Sequence, residues 1–424
     1  MRSRALVILF FAATVTGCGS HATSSPFVGP VVPEIVQNGQ SPGHWQVFPI
    51  PSPNFAPVSI AAGAHNDLWF AGGSTSGGIG RVDMNGNLTV YSTPSQGVST
   101  GDATAGADGN EWFGCGTGFV CSITTGGVIT QYPLGQAVLA EMRFLGTDGN
   151  AWFIGGNGGA FGAISPSGVV KLFGHAGSVY GATQGPDGNV WLTAVSQNGE
   201  TGYLAAYDLN GNLLKTYSLP QGQVVGDIAA SQKLLWFEAF DNNSSADYLA
   251  SMTTSGILTE YRTPGASFLF DGVSLTVGSD GVIYDLASRG GGVLRFNQKA
   301  KTWLSTLHGP PGTIYDWGTT LGPDGNLWLT SIPKDDLSVY IIHVLTVSPS
   351  SLTFNSIGQA QNLSISESKY RGSWTAVSAN TGVATVTGPV GNVLTVTSVG
   401  QGSTTIEVSD DTTDNSFDVQ VTVL

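Results

Sequence analysis

The sequence predicts an all-β protein, a seven-bladed β-propeller followed by an immunoglobulin-like β-sandwich. Three observations carry this. Beyond the first 20 residues there is no run of Ala, Glu, Lys and Leu at helical spacing. Short runs of Val, Ile, Thr, Tyr, Phe and Trp alternate instead with Gly, Asn, Asp and Pro, which is the chemistry of strands joined by tight turns. Finally, one self-similar unit returns seven times at a spacing typical of four-stranded propeller blades. A chain of 424 residues is long enough for more than one core, and its 60 glycines suit a fold with many turns.

The first element is an export signal. Arg2 and Arg4 precede an apolar run from Ala5 to Val15, which ends in Thr16-Gly17-Cys18. A basic start followed by a short apolar stretch marks secretion, and the run is shorter than the ~20 residues a spanning helix needs. The small residues before Cys18 resemble a bacterial lipobox. Residues 1–18 are therefore expected to be a lipoprotein signal peptide with lipidation at Cys18, which makes a membrane a partner through a lipid anchor. An ordinary signal peptide with an incidental cysteine is the plainer alternative. Gly19 and Ser20 give no inner-membrane retention signal, so an outer-membrane or cell-surface location is expected. Residues 19–43, rich in Ser, Thr, Gly and Pro, read as a flexible tether.

The propeller is expected over residues 44–344. Its repeating centre reads Asn66-Asp67-Leu68-Trp69-Phe70, then Asp108-Gly109-Asn110-Glu111-Trp112-Phe113, and returns at Trp152, Trp191, Trp236, Tyr284 and Trp328. Successive anchors lie 43, 40, 39, 45, 48 and 44 residues apart. The first unit parses into strands Val58–Gly63, Leu68–Gly72, Ile79–Asp83 and Leu88–Ser92, from the axis outward. Asn85-Gly86 and Asn210-Gly211 supply the positive φ of tight hairpins. The Asp-Gly-Asn triplets fall in the turn before the anchor. One triplet lacks the six or more oxygens that calcium takes, so they read as turn chemistry. The seventh unit stops after a third strand at Val339–Val344. An orphan strand, Trp45–Ile50, precedes the first unit and resembles the fourth strands of other units. An open ring would expose two sheet edges, so this strand is expected to complete blade seven.

From Leu345 the repeat ends. Residues 345–424 are rich in Val, Thr and Ser, with alternating runs at Asn362–Ser366, Ser373–Ala379, Val393–Ser398, Thr404–Ser409 and Phe417–Val423. That length and rhythm predict the sandwich. Val383-Ala384-Thr385-Val386 and the run from Thr395 to Gly402 resemble the bacterial group-2 Ig-like domains.

Charge and cysteine content narrow the function classes. The formal net charge is −14, with 29 acids against 15 bases and no run of Lys or Arg. Such a surface repels a polyanion, which argues against a nucleic-acid partner. Cys115 and Cys121, with five residues between them, lie on two arms of a hairpin. They fit a disulfide in an oxidising compartment, or two buried thiols. Zinc needs about four ligands, and no histidine lies near them in sequence.

The repeats resemble those of the virginiamycin B lyase family. Ile79-Gly80-Arg81-Val82 followed by Gly86-Asn87-Leu88-Thr89-Val90-Tyr91 is similar to that family's unit, as are the segments Gly127–Pro133 and Gly256–Tyr261. The resemblance spans residues 45–344. It implies a lyase that opens a cyclic depsipeptide by elimination, using histidine, glutamate and a divalent metal. The histidine positions begin inner strands, eleven residues before each anchor. Here they hold Val58, Gly101, Glu141, Tyr180, Val225, Val273 and Trp317. The glutamate positions, three after each anchor, hold Gly72, Cys115, Gly155, Ala194, Ala239, Ala287 and Ser331. Glu238 comes one position early and is expected on the opposite face of its strand. No catalytic residue or metal ligand is therefore assigned, and Mg²⁺ is expected only if the lyase reading holds.

The inner-strand starts share one end of a propeller with the loops after the second strands. Glu141, Tyr180 and Trp317, with His175 and His308 in loops leading to that end, form the candidate ligand site. Aromatic rings beside a carboxylate suit a glycan or a peptide. The same residues also fit a plain role, the aromatics packing between blades and the histidines solvated. A non-catalytic surface protein that binds a glycan, peptide or envelope protein is the expected function. A lyase with altered residues and a purely structural envelope protein are the alternatives.

Overall fold

The computed structural model describes residues 27–30, 34–36, 45–52, 54–72, 78–93, 102–156, 160–174, 177–264, 275–287, 292–310, 315–342, 345–367, 373–410 and 416–424. Among them are seven antiparallel sheets, each built on one repeat unit, two of which also take strands from residues 27–49. The first contains Pro57–Ala62, Asp67–Gly72, Gly78–Asp83 and Asn87–Ser92, within one residue of the strands expected from sequence.

Burial falls from the second strand outward. Asp67–Gly72 and Val190–Val195 are buried at every position, because neighbouring blades cover both faces. The outer strand Leu213–Ser218 is almost wholly exposed. Continuous apolar runs on second strands and mixed runs on fourth strands follow from this gradient.

The anchor tryptophans are core. Trp69, Trp112, Trp152, Trp191 and Trp236 are each at most 2% exposed. Each packs on an outer-strand ring of its own blade, as in Trp191–Tyr217 at 6.1 Å and Trp236–Tyr261 at 5.9 Å. Those outer rings also reach the next blade. A Cβ at Gly127, Gly168 or Gly256 would run into Tyr91, Tyr132 or Tyr217, and all three glycines have φ between +82° and +90°. Glycine at that turn thus permits both the hairpin and the seam between blades.

The Asp-Gly-Asn triplets do turn work. Asp108 Oδ1 accepts the Asn110 backbone N–H at 3.2 Å and the Trp112 indole N–H at 3.1 Å, while Oδ2 accepts the Asn110 side chain at 2.7 Å. The arrangement repeats at Asp148, Asp187 and Asp324. In blade six the anchor is Tyr284, whose hydroxyl donates to Asp280 at 2.7 Å. A phenol replaces the indole and keeps the same contact.

Ring closure uses the orphan strand. Trp45–Pro49 runs antiparallel to Asp336–Tyr340, with Trp45 opposite Tyr340 and Pro49 opposite Asp336. The third strand of blade seven therefore begins earlier than the expected Val339–Val344. A short 3-10 turn at Ile332–Lys334 and a left-handed Asp335, φ 49°, start it there. The expected tether over 19–43 is corrected in part. Phe27–Pro30 pairs with Asn87–Val90 on blade one, and Glu34–Val36 pairs with Trp45–Val47 on blade seven. The outer edges of both blades offer unpaired backbone groups, and the chain satisfies them across the closing seam. Cys18 lies outside the described residues.

Cys115 and Cys121 are joined by a disulfide with Cα atoms 5.7 Å apart, both essentially buried. Residues from Leu345 onward form two four-stranded sheets around a core of their own, which includes Phe354, Leu363, Leu394, Ile406 and Val419. Ser351–Phe354, not foreseen as a strand, runs parallel to the last strand, Ser416–Val423.

Candidate functional site

The inner strands of all seven blades surround an axial cavity of about 380 Å³. In five blades the pairing of inner and second strand is interrupted: between Pro57 and Ser59, Met142 and Phe144, Val179 and Gly181, Val225 and Ile228, and Tyr315 and Thr319. A bulge leaves its extra residue outside the ladder and re-aims the side chain. The residues so released include Arg143, Tyr180 and Asp227.

Arg143 stands among carboxyl groups from three blades. Its Nη2 donates to Glu141 Oε2 at 2.7 Å, while Nη1 lies 3.2 Å from Asp102 Oδ2 and 3.8 Å from Asp227 Oδ1. The backbone carbonyl of Tyr180 accepts from Nη2 at 3.4 Å. The network continues outward. Asp227 Oδ2 accepts the Leu275 N–H at 3.1 Å, and the Asp227 N–H donates to Glu238 Oε2 at 3.2 Å. Glu238 in turn interacts with Asp285 of blade six. Five carboxyl groups and one guanidinium thus run from blade two to blade six.

That excess of acid is held by protons as well as by Arg143. Burial lifts Asp102 to about 7, with Glu141 and Asp227 adding to the rise and Arg143 opposing it. The Asp102 side chain keeps 32% of its surface open, so its burial is that of a recess. Burial also raises Asp227 against the pull of Arg143. Glu238 is pushed well above the usual carboxylate range by burial and then by Asp285, and burial lifts Asp285 to about 7. Burial works against the charge on Arg143 too, but Asp102, Glu141 and Asp227 outweigh it and keep the guanidinium protonated.

The raised values carry a sign for stability. Asp102 and Asp285 rise from 3.8 to about 7 on folding. An acid whose folded value is raised stabilises the fold fully below its unfolded pKa, and the contribution is lost as pH climbs through the folded one. The melting temperature should therefore fall between pH 4 and pH 7, and Asp285→Asn should flatten the fall. A melting temperature that rises over this window in a fluorimetry series would contradict the assignment.

The structure brings only part of the sequence-derived site together. Glu141 is in the cluster. Tyr180 lends its carbonyl and is 40% exposed. Trp317 lies in the bulged stretch of the inner strand Tyr315–Leu321. Leu307 bridges to Val293 on the third strand of blade six, and His308 is exposed beside Gly292. His175 lies outside the described residues. Glu238 faces blade six, as its place two residues after Trp236 requires.

Asp102, Arg143, Asp227 and Asp285 were missed. Their signal was a charge set inside an otherwise apolar strand, as in Ala140-Glu141-Met142-Arg143-Phe144 or Ile283-Tyr284-Asp285-Leu286. Among the described residues no group of three or more His, Cys, Asp and Glu side chains is arranged to hold a metal ion.

Residues 35–176 match the family model described as the virginiamycin B lyase family. No curated protein matches the sequence. A streptogramin B lyase superposes with a TM-score of 0.60 at 20% identity, covering 70% of this chain and 97% of that one. The virginiamycin B lyase from Staphylococcus aureus gives 0.60 at 18% identity, covering 70% and 99%. A structure of YCF48 bound to a D1 peptide gives 0.52 at 14% identity, covering 73% and 98%. Identities this low establish a shared fold.

Proposed function

We propose that this β-propeller, whose residues 35–176 match the virginiamycin B lyase family model, is a ligand-binding module of the cell envelope, taking a peptide, glycan or protein group at its axial mouth. One observation carries the reading: the mouth is a polar recess whose charged groups come from separate blades and converge on Arg143. Convergent polar groups in one concave site are the usual mark of ligand recognition. At the seven positions where elimination chemistry would place histidine, the chain has none.

Glycan and peptide arrays probed with the purified protein test this directly. A saturable ligand should emerge, and both Tyr180→Ala and Glu141→Gln should weaken it about tenfold or more with little change in melting temperature. Binding indifferent to both variants would remove the axial mouth from the function, and silent arrays would remove the binding reading.

The location belongs to the same proposal. Cys18 carries a lipid that holds the protein on the envelope, and the sandwich over 345–424 acts as an immunoglobulin-like spacer or adhesive unit. Labelled palmitate should enter the wild-type protein and not Cys18→Ser, which should move to the soluble fraction. Absence of label from the wild type would end the lipoprotein reading.

A further inference from the structure

We infer that Arg143 is a built-in cation, occupying the place where a divalent metal would have to sit and so excluding one from the axial mouth. The family resemblance implies such a metal, and the residues present do not fit it. Magnesium requires near-octahedral oxygen ligands about the ion, and calcium requires six to eight. The carboxyl groups that converge here, Asp102, Glu141 and Asp227, are turned toward a guanidinium that lies 2.7 to 3.8 Å from all three. Because Arg143 lies two residues from Glu141 on one inner strand, Met142 between them being fully packed, the cation comes with the strand. The guanidinium keeps its proton at any ordinary pH, so a metal entering this space would meet a fixed like charge within a few ångströms.

The guanidinium also explains why the carboxyl groups tolerate each other. Asp102, Glu141 and Asp227 come from blades two, three and five, and each approaches the same centre. Without a positive charge there, burial and mutual repulsion would oppose their ionisation. The acids that lie further out, Glu238 and Asp285, have no such cation among the groups that shift them, and burial raises both. The converging carboxyl groups are thus met by a side chain that lends charge without offering open coordination positions. This inference stands whether or not the mouth binds a ligand.

The test uses full-length protein and Mn²⁺ as the probe, read by electron paramagnetic resonance, calorimetry and melting temperature. The wild type should show no stoichiometric Mn²⁺ binding at the mouth. Arg143→Met, which keeps the carboxyl groups and removes the charge, should bind one Mn²⁺ about 100-fold more tightly than the wild type and melt higher when it is present. Arg143→Lys should behave like the wild type. If Arg143→Met does not fold in buffer, it should be recovered by refolding with Mn²⁺ and not without it. Tight Mn²⁺ binding by the wild type that Asp102→Asn abolishes would overturn the inference. So would an Arg143→Met protein that folds without gaining a site, or one that Mn²⁺ fails to recover.

Discussion

Deleting Trp45–Ile50 abolishes cooperative folding of the propeller, whereas deleting Leu345–Leu424 leaves it folded; these are the expected results of two truncations. The six-residue segment packs on two neighbours at once. Trp45, fully buried, joins Tyr284, Leu329 and Tyr340 in the core toward blade six, with its ring 5.3 Å from Tyr340. Phe48 and Ile50 face the other way, into the core shared with Ile60, Leu68 and Trp328, and Phe48 stacks on Trp328 at 5.2 Å. Burying a large apolar side chain contributes about 1.5–3 kcal/mol. Trp45, Val47, Phe48 and Ile50 together are therefore comparable with the ~5–15 kcal/mol that holds a typical domain. Losing the strand also strips Asp336–Tyr340 of one of its two partners and, among the described residues, Glu34–Val36 of its sheet contact. The C-terminal sandwich shares none of this core, since its apolar cluster is drawn from residues 345–423 alone. Urea unfolding followed by tryptophan fluorescence separates the cases. Equal loss from both truncations would mean that the two parts share a core.

What the sequence could reveal follows from where repetition acts. Each blade must bury an anchor ring and turn sharply before it, so the anchors and the Asp-Gly-Asn turns recur and phase the whole ring. The need to close that ring made Trp45–Ile50 readable as the last strand. Bulges leave no comparable trace. Nothing in Ala140–Leu145 announces that pairing slips between Met142 and Phe144, and the slip near Val225 carries Asp227 to the same centre. Positions counted back from each anchor found Glu141 and passed over Arg143 and Asp227, which lie two residues further along. Contacts between blades two, three and five are set by the angular order of the ring, and no local spacing encodes them. The strands at Phe27–Pro30 and Glu34–Val36 were hidden by composition, since Pro- and Gly-rich chain can still pair with an exposed edge.

Incubated with a streptogramin B antibiotic and excess magnesium, the purified protein should leave the depsipeptide ring closed. Elimination needs a base to take a proton beside the ester and support for the departing carboxylate. The seven inner-strand starts offer no histidine, and the seven second-strand positions offer no glutamate. The groups that do reach the axis answer a different need. Arg143 is engaged by Asp102, Glu141 and Asp227, and Glu238 accepts the backbone N–H of Asp227. Losing a positioned proton-transfer group alone forfeits about 10²–10⁴ in rate, so ring opening should fall at least two orders of magnitude below an active lyase run beside it. Mass spectrometry reads the outcome through the water-free isomerisation, in which the mass stays constant and the retention time and fragmentation change. Magnesium-dependent opening at the control's rate would restore the enzyme reading. Its loss in His175→Ala would then assign the base to a residue that the inner-strand count does not reach.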